Sequence, residues 1–316
     1  MANNDHIMAD QMYVHYQIPQ AKKHPYPIIL IHGGGQTANN FGSTPDGREG
    51  WATNFLREGF AVYLVDQPGR ARSPYQPEVY GSLANGARAK TGVEQRFTSP
   101  KPYNLYPQAR LHTQWPGTGT QGDPAFDQSF ASQVSGITDG GVSEKLNQAA
   151  VAALLDKIGP AIVAYSFDVG HFRMADCRCA TASSSKPLSA SSRAARRFAT
   201  WMKSARPSGF VIHQISDKPW GITRLPVAYA PAVKTPEELK PVLEEKADRA
   251  DLVRCYRQSE PARQLANLVN ILILIVSSEA SFHAPWDHCT SKYLTQAGVA
   301  NQHVRLRTTA STAPGT

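Results

Sequence analysis

A run of glycines near the start of the chain has the composition needed to stabilise a negatively charged oxygen. His32-Gly33-Gly34-Gly35 follows the apolar segment 27–31, which has the pattern of a buried strand. Because glycines let the backbone turn freely, the amides of Gly34 and Gly35 could point at a developing oxyanion. The alternatives are an ordinary glycine turn and a phosphate-binding loop. A phosphate loop is disfavoured because no Gly-Lys-Ser or Gly-Lys-Thr follows.

Ser166 is the candidate nucleophile for acyl transfer. It comes just after the apolar segment 161–164, and the small Ala164 flanks it, as a sharp strand-to-helix turn requires. The amide of Phe167 would then be a third donor to the oxyanion. The second flanking position holds Asp168 rather than glycine, so an ordinary serine at a strand end is the alternative.

Such a serine also needs a base to remove its proton and an acid to orient that base. Glu279 follows the apolar run 271–276 and is a weak candidate for the acid, with Asp287 nearby. We expect His32 to brace the glycine loop rather than to act as the base. The other histidines in this part of the sequence are His283, His288 and His303. None of these follows the last predicted strand, and each is expected to be solvated or to cap an element.

Strands and helices alternate along the chain, which predicts an α/β fold with a mostly parallel central sheet and helices on both faces. The predicted strands are 27–31, 60–65, 161–164, 271–276 and 303–306. The predicted helices are 46–58, 143–158 with Ser143 as its N-cap, and 285–297. Residues 70–140 are expected to be an irregular excursion. The chain is predicted to be a single domain, 1–316, with a helical cap inserted at 225–269.

The net charge of +8 comes almost entirely from one segment. Residues 177–206 hold seven Lys or Arg and no Asp or Glu, which leaves 8 − 7 = +1 for the rest of the chain. These arginines lack interleaved aromatic residues, so no nucleic-acid partner is expected. No run of about 18 apolar residues occurs, so no membrane partner is expected either. The start of the sequence has no signal-peptide pattern, which predicts a cytoplasmic protein, or a periplasmic or secreted one if a leader is missing.

The four cysteines are too few for a disulfide scaffold. Cys177 and Cys179 lack the spacing and the second ligand pair of a zinc site, and we interpret them as free thiols. Cys255 and Cys289 could pair if the protein is exported, which their spacing does not decide. We expect no metal and no organic cofactor, and the oligomeric state is left open.

Five longer motifs surround the candidate residues. They are Ile31-His-Gly-Gly-Gly-Gln-Thr37, Thr44-Pro-Asp-Gly-Arg-Glu-Gly-Trp51, Tyr63-Leu-Val-Asp-Gln-Pro-Gly69, Arg72-Ser-Pro74 and Val276-Ser-Ser-Glu-Ala-Ser-Phe-His-Ala-Pro-Trp-Asp-His288. Together they resemble a family of bacterial α/β-hydrolase serine esterases, over residues 11–165 and 219–306. The resemblance implies the α/β-hydrolase fold and hydrolysis of a small-molecule ester by a Ser, His and acid triad. It places the acid after the sixth strand and the histidine in a Gly-x-Gly-His loop after the eighth.

The sequence departs from this family at three places where the chemistry belongs. The turn Tyr165-Ser166-Phe167-Asp168 lacks the family's histidine before the serine and the glycine at the second flank. Residues 177–206 hold Ser, Ala and Arg without a strand pattern, and no Gly-x-Gly-His follows the last strand. The segment 177–206 is therefore aberrant for the family, and the base and the family's acid are missing from the sequence as written.

A shift of reading frame in 177–218 and after 306 is our hypothesis for these departures. Read from the third base of plausible codons, 184–198 can spell Val-Lys-Ala-Ile-Val-Ser-Val-Glu-Pro-Ser-Gly-Pro-Pro-Phe, a strand followed by an acid. Residues 307–316 can likewise spell Asp-Tyr-Gly-Ile-His-Gly-Thr-Gly-His. The alternatives are a genuine variant with its own triad and a divergent loop and tail.

Three functions are compatible with these observations. The first is an ester hydrolase by descent that is impaired as written, because a serine without a base is a poor nucleophile at neutral pH. The second is a non-catalytic binding protein, or an inactive remnant, that kept the pocket. The third, a nucleic-acid or membrane binder acting through 177–206, is the least supported because no recognisable binding module is present.

Overall fold

A seven-stranded sheet forms the centre of the protein in the computed structural model. The structure describes residues 6–84, 89–165 and 218–306, together with the backbone of three short strands between 188 and 213. The strands of the chain are β1 (Tyr13–Gln17), β2 (Ile28–Ile31), β3 (Val62–Asp66), β4 (Ile162–Tyr165), β5 (Leu188–Ser191), β6 (Thr200–Lys203), β7 (Phe210–His213), β8 (Tyr229–Ala230), β9 (Val242–Leu243), β10 (Tyr256–Arg257), β11 (Gln264–Leu265), β12 (Ile273–Ser278) and β13 (Asn301–Leu306). The described α-helices are α1 (Trp51–Arg57), α2 (Pro77–Tyr80), α3 (Lys90–Val93), α4 (Pro124–Ala131), α5 (Gly140–Ile158) and α6 (Asp287–Gln296).

The sheet is mixed, with the strand order β1-β3-β2-β4-β5-β12-β13. The edge strand β1 runs antiparallel to β3, and each of the other neighbouring pairs is parallel. All four residues of β2 are buried, as expected for a central parallel strand that is covered on both faces. The α/β class is therefore as predicted, and parallel strands make up all of this sheet except one edge.

Helices cover both faces of the sheet. Successive side chains of β2 point to opposite faces. Ile28 and Leu30 share a buried apolar cluster with Ala52 of α1. Ile29 and Ile31 instead belong to the cluster that contains apolar residues of α5 and α6.

The long helix α5 begins earlier than the sequence predicts. Its N-cap is Asp139, whose carboxylate accepts hydrogen bonds from the amides of Gly141 (2.7 Å) and Val142 (3.1 Å). Ser143 is thus inside the helix, and its prediction as the N-cap is wrong. The helix begins with Gly140 and Gly141, which precede its apolar residues. Hydrophobic periodicity alone therefore predicts a start that is too late.

The prediction of a helical cap at 225–269 is also wrong in its helical character. This segment holds a single 3₁₀ turn, Pro236–Leu239, and the short strands β8 to β11. Lys240, with a φ of 41°, ends the turn, and Pro241 follows it. A left-handed residue followed by proline cannot continue a helix, so the start signal at Thr235 yields one turn only.

Residues 188–191 form β5, although 177–206 has no strand pattern in the sequence. β5 lies between β4 and β12, where its Ala190 is paired with Tyr165 and with Ile275. The backbone hydrogen bonds of a strand do not depend on the side chain, so a segment without a strand pattern can occupy this position. Among the described residues, no helix is long and apolar enough to cross a bilayer.

Candidate active site

The glycine loop leaves the carboxyl end of β2 at the centre of the sheet. Ile31, the last residue of β2, is paired with Val65 on one side and with Tyr165 on the other. Residues that follow parallel strands at the same level lie along one edge of a sheet. The structure therefore brings the start of the loop, the end of β3 and the end of β4 to the same edge of the sheet. We call this edge, where the parallel strands end, the carboxyl edge.

Within the described part of the chain, the amides of Gly34 and Gly35 donate no hydrogen bond. The carbonyl of Gly33 accepts from the amide of Gln36 (3.2 Å) and the guanidinium of Arg70 (3.3 Å). In a trans peptide the C=O and the following N–H point in opposite directions, so this anchoring turns the Gly34 amide away from Gln36. Gly35 takes a φ of 76°, which only glycine adopts readily.

His32 braces the loop, as the sequence predicts, although the tautomer is assigned from its partners. It is fully buried, and its Nε2 accepts the amide hydrogen of Gln67 at 3.1 Å. Its Nδ1 lies 2.9 Å from the carbonyl oxygen of Gly33, so this nitrogen carries the proton. The Gln67 side chain returns a bond to the His32 carbonyl at 2.7 Å and accepts one from Asn147 of α5.

A buried carboxylate holds the other end of the loop. Asp66 accepts hydrogen bonds from the amide of Ala38 (2.8 Å) and from Nε of Arg72 (2.6 Å). Burial acts to raise the pKa of Asp66, but the bonds from Arg72 and Ala38 outweigh it and lower the pKa. The carboxylate therefore stays ionised and ties β3 to the segment after the glycine loop.

A cavity of about 280 Å³ opens beside the loop. Gly33 and Gly34 line it, together with six residues between 36 and 45 and with residues in or next to α3 and α4. Most of the lining side chains are uncharged amides and hydroxyls, and the aromatic rings are Phe97 and Trp115. A group bound there would lie next to the candidate oxyanion donors.

Two of the predicted site residues, Ser166 and Phe167, lie outside the residues that the structure describes. Their neighbour Tyr165 is buried at the end of β4. Glu279, the weak candidate for the acid, directly follows β12, and its amide donates to the carbonyl of Leu306 at 2.9 Å. It lies at the same edge of the sheet as the glycine loop, but β5 separates its strand from β4.

A second polar cluster lies at this edge, and sequence reasoning missed it. The hydroxyl of Ser277 hydrogen bonds to Asp287 and lies 2.8 Å from Nε2 of His303. Ser277 and Asp287 are almost completely buried. Burial lowers the pKa of His303 to about 4, so its ring is neutral at physiological pH. No spacing in the sequence signals this cluster, because β12, α6 and β13 each contribute one member.

The other two histidines of this region are buried rather than solvated, which corrects the prediction. His283 is fully buried, and its Nδ1 accepts a hydrogen bond from Nε1 of Trp286 at 3.0 Å. His288 lies beside two sulfur atoms, and burial lowers its pKa to about 4.

Cys255 and Cys289 form a disulfide, which settles the pairing that the sequence left open. Among the described residues, the ligand atoms of these two cysteines and His288 form a group within 4.8 Å of one another, the sort of cluster that binds metal ions. Sulfur atoms in a disulfide are not thiolates and bind metal poorly, so the cluster is not a metal site in this form.

A fungal protein shows the family of the chain. Over 296 residues the chain is 42% identical to the "Probable secreted lipase phiG" of Fungal sp. (strain ATCC 74256), a match that covers 91% of this chain and 75% of that protein. The chain belongs to this lipase and esterase family of hydrolases. No protein-family model matches it.

One solved structure shows a related fold for this lipase and esterase family member. A bacterial esterase solved at atomic resolution is 20% identical and superimposes with a TM-score of 0.53, covering 95% of this chain and 77% of that one. At this identity the likeness concerns the fold alone. An esterase from a marine microorganism, at 12% identity, superimposes with a TM-score of only 0.35.

Proposed function

We propose that the chain is a carboxylic-ester hydrolase of the α/β-hydrolase fold, with Ser166 as nucleophile and no metal or organic cofactor. The observation that carries the proposal is the glycine loop at the carboxyl edge. Its Gly34 and Gly35 amides donate no hydrogen bond to any described residue, and Gly34 lines the cavity. Tyr165, the residue before Ser166, is paired with Ile31, the residue before His32. Membership in the lipase and esterase family supports the same chemistry.

The proposed reaction forms and then cleaves an acyl-serine. The Oγ of Ser166 bonds to the acyl carbon while the ester C–O bond breaks, and the alcohol leaves with the proton of the hydroxyl. Water then attacks the acyl carbon, which releases the carboxylic acid and restores the serine. In both steps the amides of Gly34, Gly35 and Phe167 would donate hydrogen bonds to the oxyanion.

Glu279 is the proposed, weaker choice for the acid. It follows β12 at the carboxyl edge, two strand spacings from β4, or roughly 10 Å. An acid of this kind contacts the base rather than the serine, so such a separation is compatible with the role.

We also propose that this chain turns over esters slowly. Each described histidine near the carboxyl edge already has a hydrogen-bond partner: Gln67 for His32, Trp286 for His283 and Ser277 for His303. Without a base, a serine hydroxyl loses orders of magnitude in rate. A shifted reading frame in 177–218 and after 306 is the proposed cause.

A location outside the cytoplasm fits the chain better than the cytoplasmic one expected from its first residues. The Cys255–Cys289 disulfide persists in oxidising compartments, and the fungal relative is named as secreted.

A fluorophosphonate probe tests the nucleophile. We expect slow labelling of the peptide that contains Ser166, and faster labelling when imidazole is added. Mass spectrometry of the digested protein identifies the labelled peptide. Label on a different serine would contradict the role of Ser166. A complete lack of label would favour a non-catalytic binding protein.

The coding DNA tests the shifted frame independently of any activity. We expect one alternative frame to encode a strand ending in an acid near 184–198, and Gly-x-Gly-His after 306. If neither shifted frame encodes these peptides, the frameshift proposal is wrong and 177–218 is a genuine feature of the protein.

A further inference from the structure

The cavity beside the glycine loop differs in its chemistry from a site for an alkyl chain. Small-molecule sites are mostly lined by apolar and aromatic side chains with a few polar groups. Here ten of the sixteen lining residues have uncharged polar side chains, four are apolar and none is charged. By side-chain type the lining is thus more polar than usual, although the relative of the chain is named a lipase.

Five amide side chains of this lining have unused hydrogen-bonding capacity. Among the residues that the structure describes, these five make no side-chain hydrogen bond. They are Gln36, Asn39, Asn40, Gln128 and Gln133. The Oε1 atom of Gln133 is in addition buried. Each amide offers two donor hydrogens and an acceptor oxygen, so together they can bind several hydroxyl groups.

An alkyl chain would be a poorer occupant of this cavity than a polyol. It would displace water from the five amides and return no hydrogen bond, which leaves polar groups desolvated and unpaired. A charged group would find no lining residue of opposite charge. A polyol replaces the hydrogen bonds of the displaced water one for one and presents C–H faces to an aromatic ring.

The size of the cavity and the rigidity of its lining also favour a small polyol over an alkyl chain. The volume of about 280 Å³ lies just under the 300–1,000 Å³ range of sites for drug-sized ligands, so the occupant is a small group. Trp115 lines the cavity in a fixed position, because its Nε1 donates to Asp123 at 3.0 Å. Asp123 is itself held by the amide of Gly119 at 2.7 Å.

We propose that the cavity binds a small, uncharged polyhydroxylated group, such as a sugar ring, and that the ester hydrolysed is an ester of such a group. The proposal rests on the proposed ester hydrolysis, because it names the substrate class of that same site. Gly34 is at once a lining residue of the cavity and a candidate oxyanion donor, so the bound group would lie next to the acyl carbon.

Binding of methyl glucoside, measured by saturation-transfer NMR and without any turnover, tests this inference. We expect methyl glucoside to bind to the wild-type chain and 1-hexanol not to displace it. Gln133→Leu and Gln36→Leu should each weaken the binding of methyl glucoside by about two- to tenfold, the effect of one lost hydrogen bond. Gln20→Leu, an exposed glutamine outside the cavity, is the matched control and should bind as the wild type does.

Thermal unfolding of each variant establishes that it is folded, and the two cavity variants are independent of one another. The inference is overturned if methyl glucoside does not bind, if hexanol displaces it, or if both cavity variants bind it as tightly as the wild type. Because binding needs no nucleophile, these outcomes differ from a failure of ester hydrolysis, which would appear as loss of Ser166-dependent turnover of p-nitrophenyl acetate.

Discussion

Gly35 shows how a single residue fixes the geometry of the candidate active site. Its φ of 76° lies in the left-handed region, and its carbonyl accepts a hydrogen bond from the amide of Val134 at 3.0 Å. A side chain at this φ is strained, so the loop conformation depends on glycine at this position.

Gly35→Ala should therefore lower the free energy of unfolding by about 1–2 kcal/mol, the cost of a Cβ in the left-handed region. Gly42→Ala is the matched control, because Gly42 has a φ of −79° and a Cβ there makes only ordinary contacts. Urea denaturation measures both variants. Equal losses in the two would mean that the loop does not require the left-handed conformation.

Some residues of the candidate active site can be predicted from the sequence, and others cannot. The glycine loop and the bracing role of His32 can be predicted, because a glycine run after a buried strand has few uses. Arg70, Gln67 and the Ser277–Asp287–His303 cluster cannot, because their contacts join residues of separate elements or loops, and no spacing in the sequence signals them.

Among the secondary-structure elements, α5 connects the sheet to the segment that follows residue 217. Glu144 of α5 is fully buried and pairs with Lys218 at 2.9 Å. The same carboxylate accepts hydrogen bonds from the amides of Arg224 and Leu225. The position of α5 therefore affects the packing of the residues after 217.

The N-cap of α5 gives a test of where this helix begins. Asp139→Ala should cost about 1 kcal/mol of stability, because two amides of the first turn lose their acceptor. Ser143→Ala, at the position that the sequence favours, should cost less than half as much. Thermal unfolding of the two variants compares them, and a larger loss for Ser143→Ala would place the start of α5 at the later residue.

Elements with strong periodicity or full burial are the ones that sequence predicts well. β2, β3, β4 and β12 lie within two residues of their predicted bounds, because a short apolar run must be covered on both faces. The segment 225–269 is different. Its helix-start signal is real, but tertiary packing and the prolines allow only the single turn Pro236–Leu239.

For the whole molecule, the α/β class follows from the alternation of elements, whereas the strand order does not. Sequence places β2 before β3, yet in the sheet β3 lies between β1 and β2. This order depends on which crossovers bury the apolar faces best, which is a property of the complete chain.

Stability should fall as the pH drops from 6.5 towards 4. His303 has an ordinary pKa near 6.5 in the unfolded chain, and burial lowers the pKa to about 4 in the folded protein. In this window the unfolded chain binds the proton and the folded one does not, so protonation favours unfolding. Above pH 6.5 both forms are neutral, and the contribution is constant.

The variant His303→Gln, which can still hydrogen bond to Ser277, should show a smaller loss of Tm between pH 6.5 and 4. The exposed His15→Gln is the control and should follow the wild-type profile. Identical profiles for all three proteins would show that His303 titrates alike in the folded and unfolded states.

The disulfide should contribute to the stability of the whole fold. It joins residues 34 apart in sequence and connects the segment before β10 to α6. The double variant Cys255→Ala and Cys289→Ala should lose about 2–4 kcal/mol, because the unfolded chain regains the freedom of the closed loop. Guanidinium denaturation measures the loss, and mass spectrometry of unreduced peptides verifies the bridge. Unchanged stability would mean that the two sulfurs are not bonded in the native protein.

The most direct test of the account is turnover of p-nitrophenyl acetate by the purified chain and by Ser166→Ala, with and without added imidazole. We predict a rate far below the roughly 10 s⁻¹ of ordinary enzymes, which imidazole raises in the wild type but not, beyond its own background hydrolysis, in Ser166→Ala. Equal rates for the two proteins with imidazole would contradict the role of Ser166. An ordinary rate without imidazole, abolished by Ser166→Ala, would contradict the missing base.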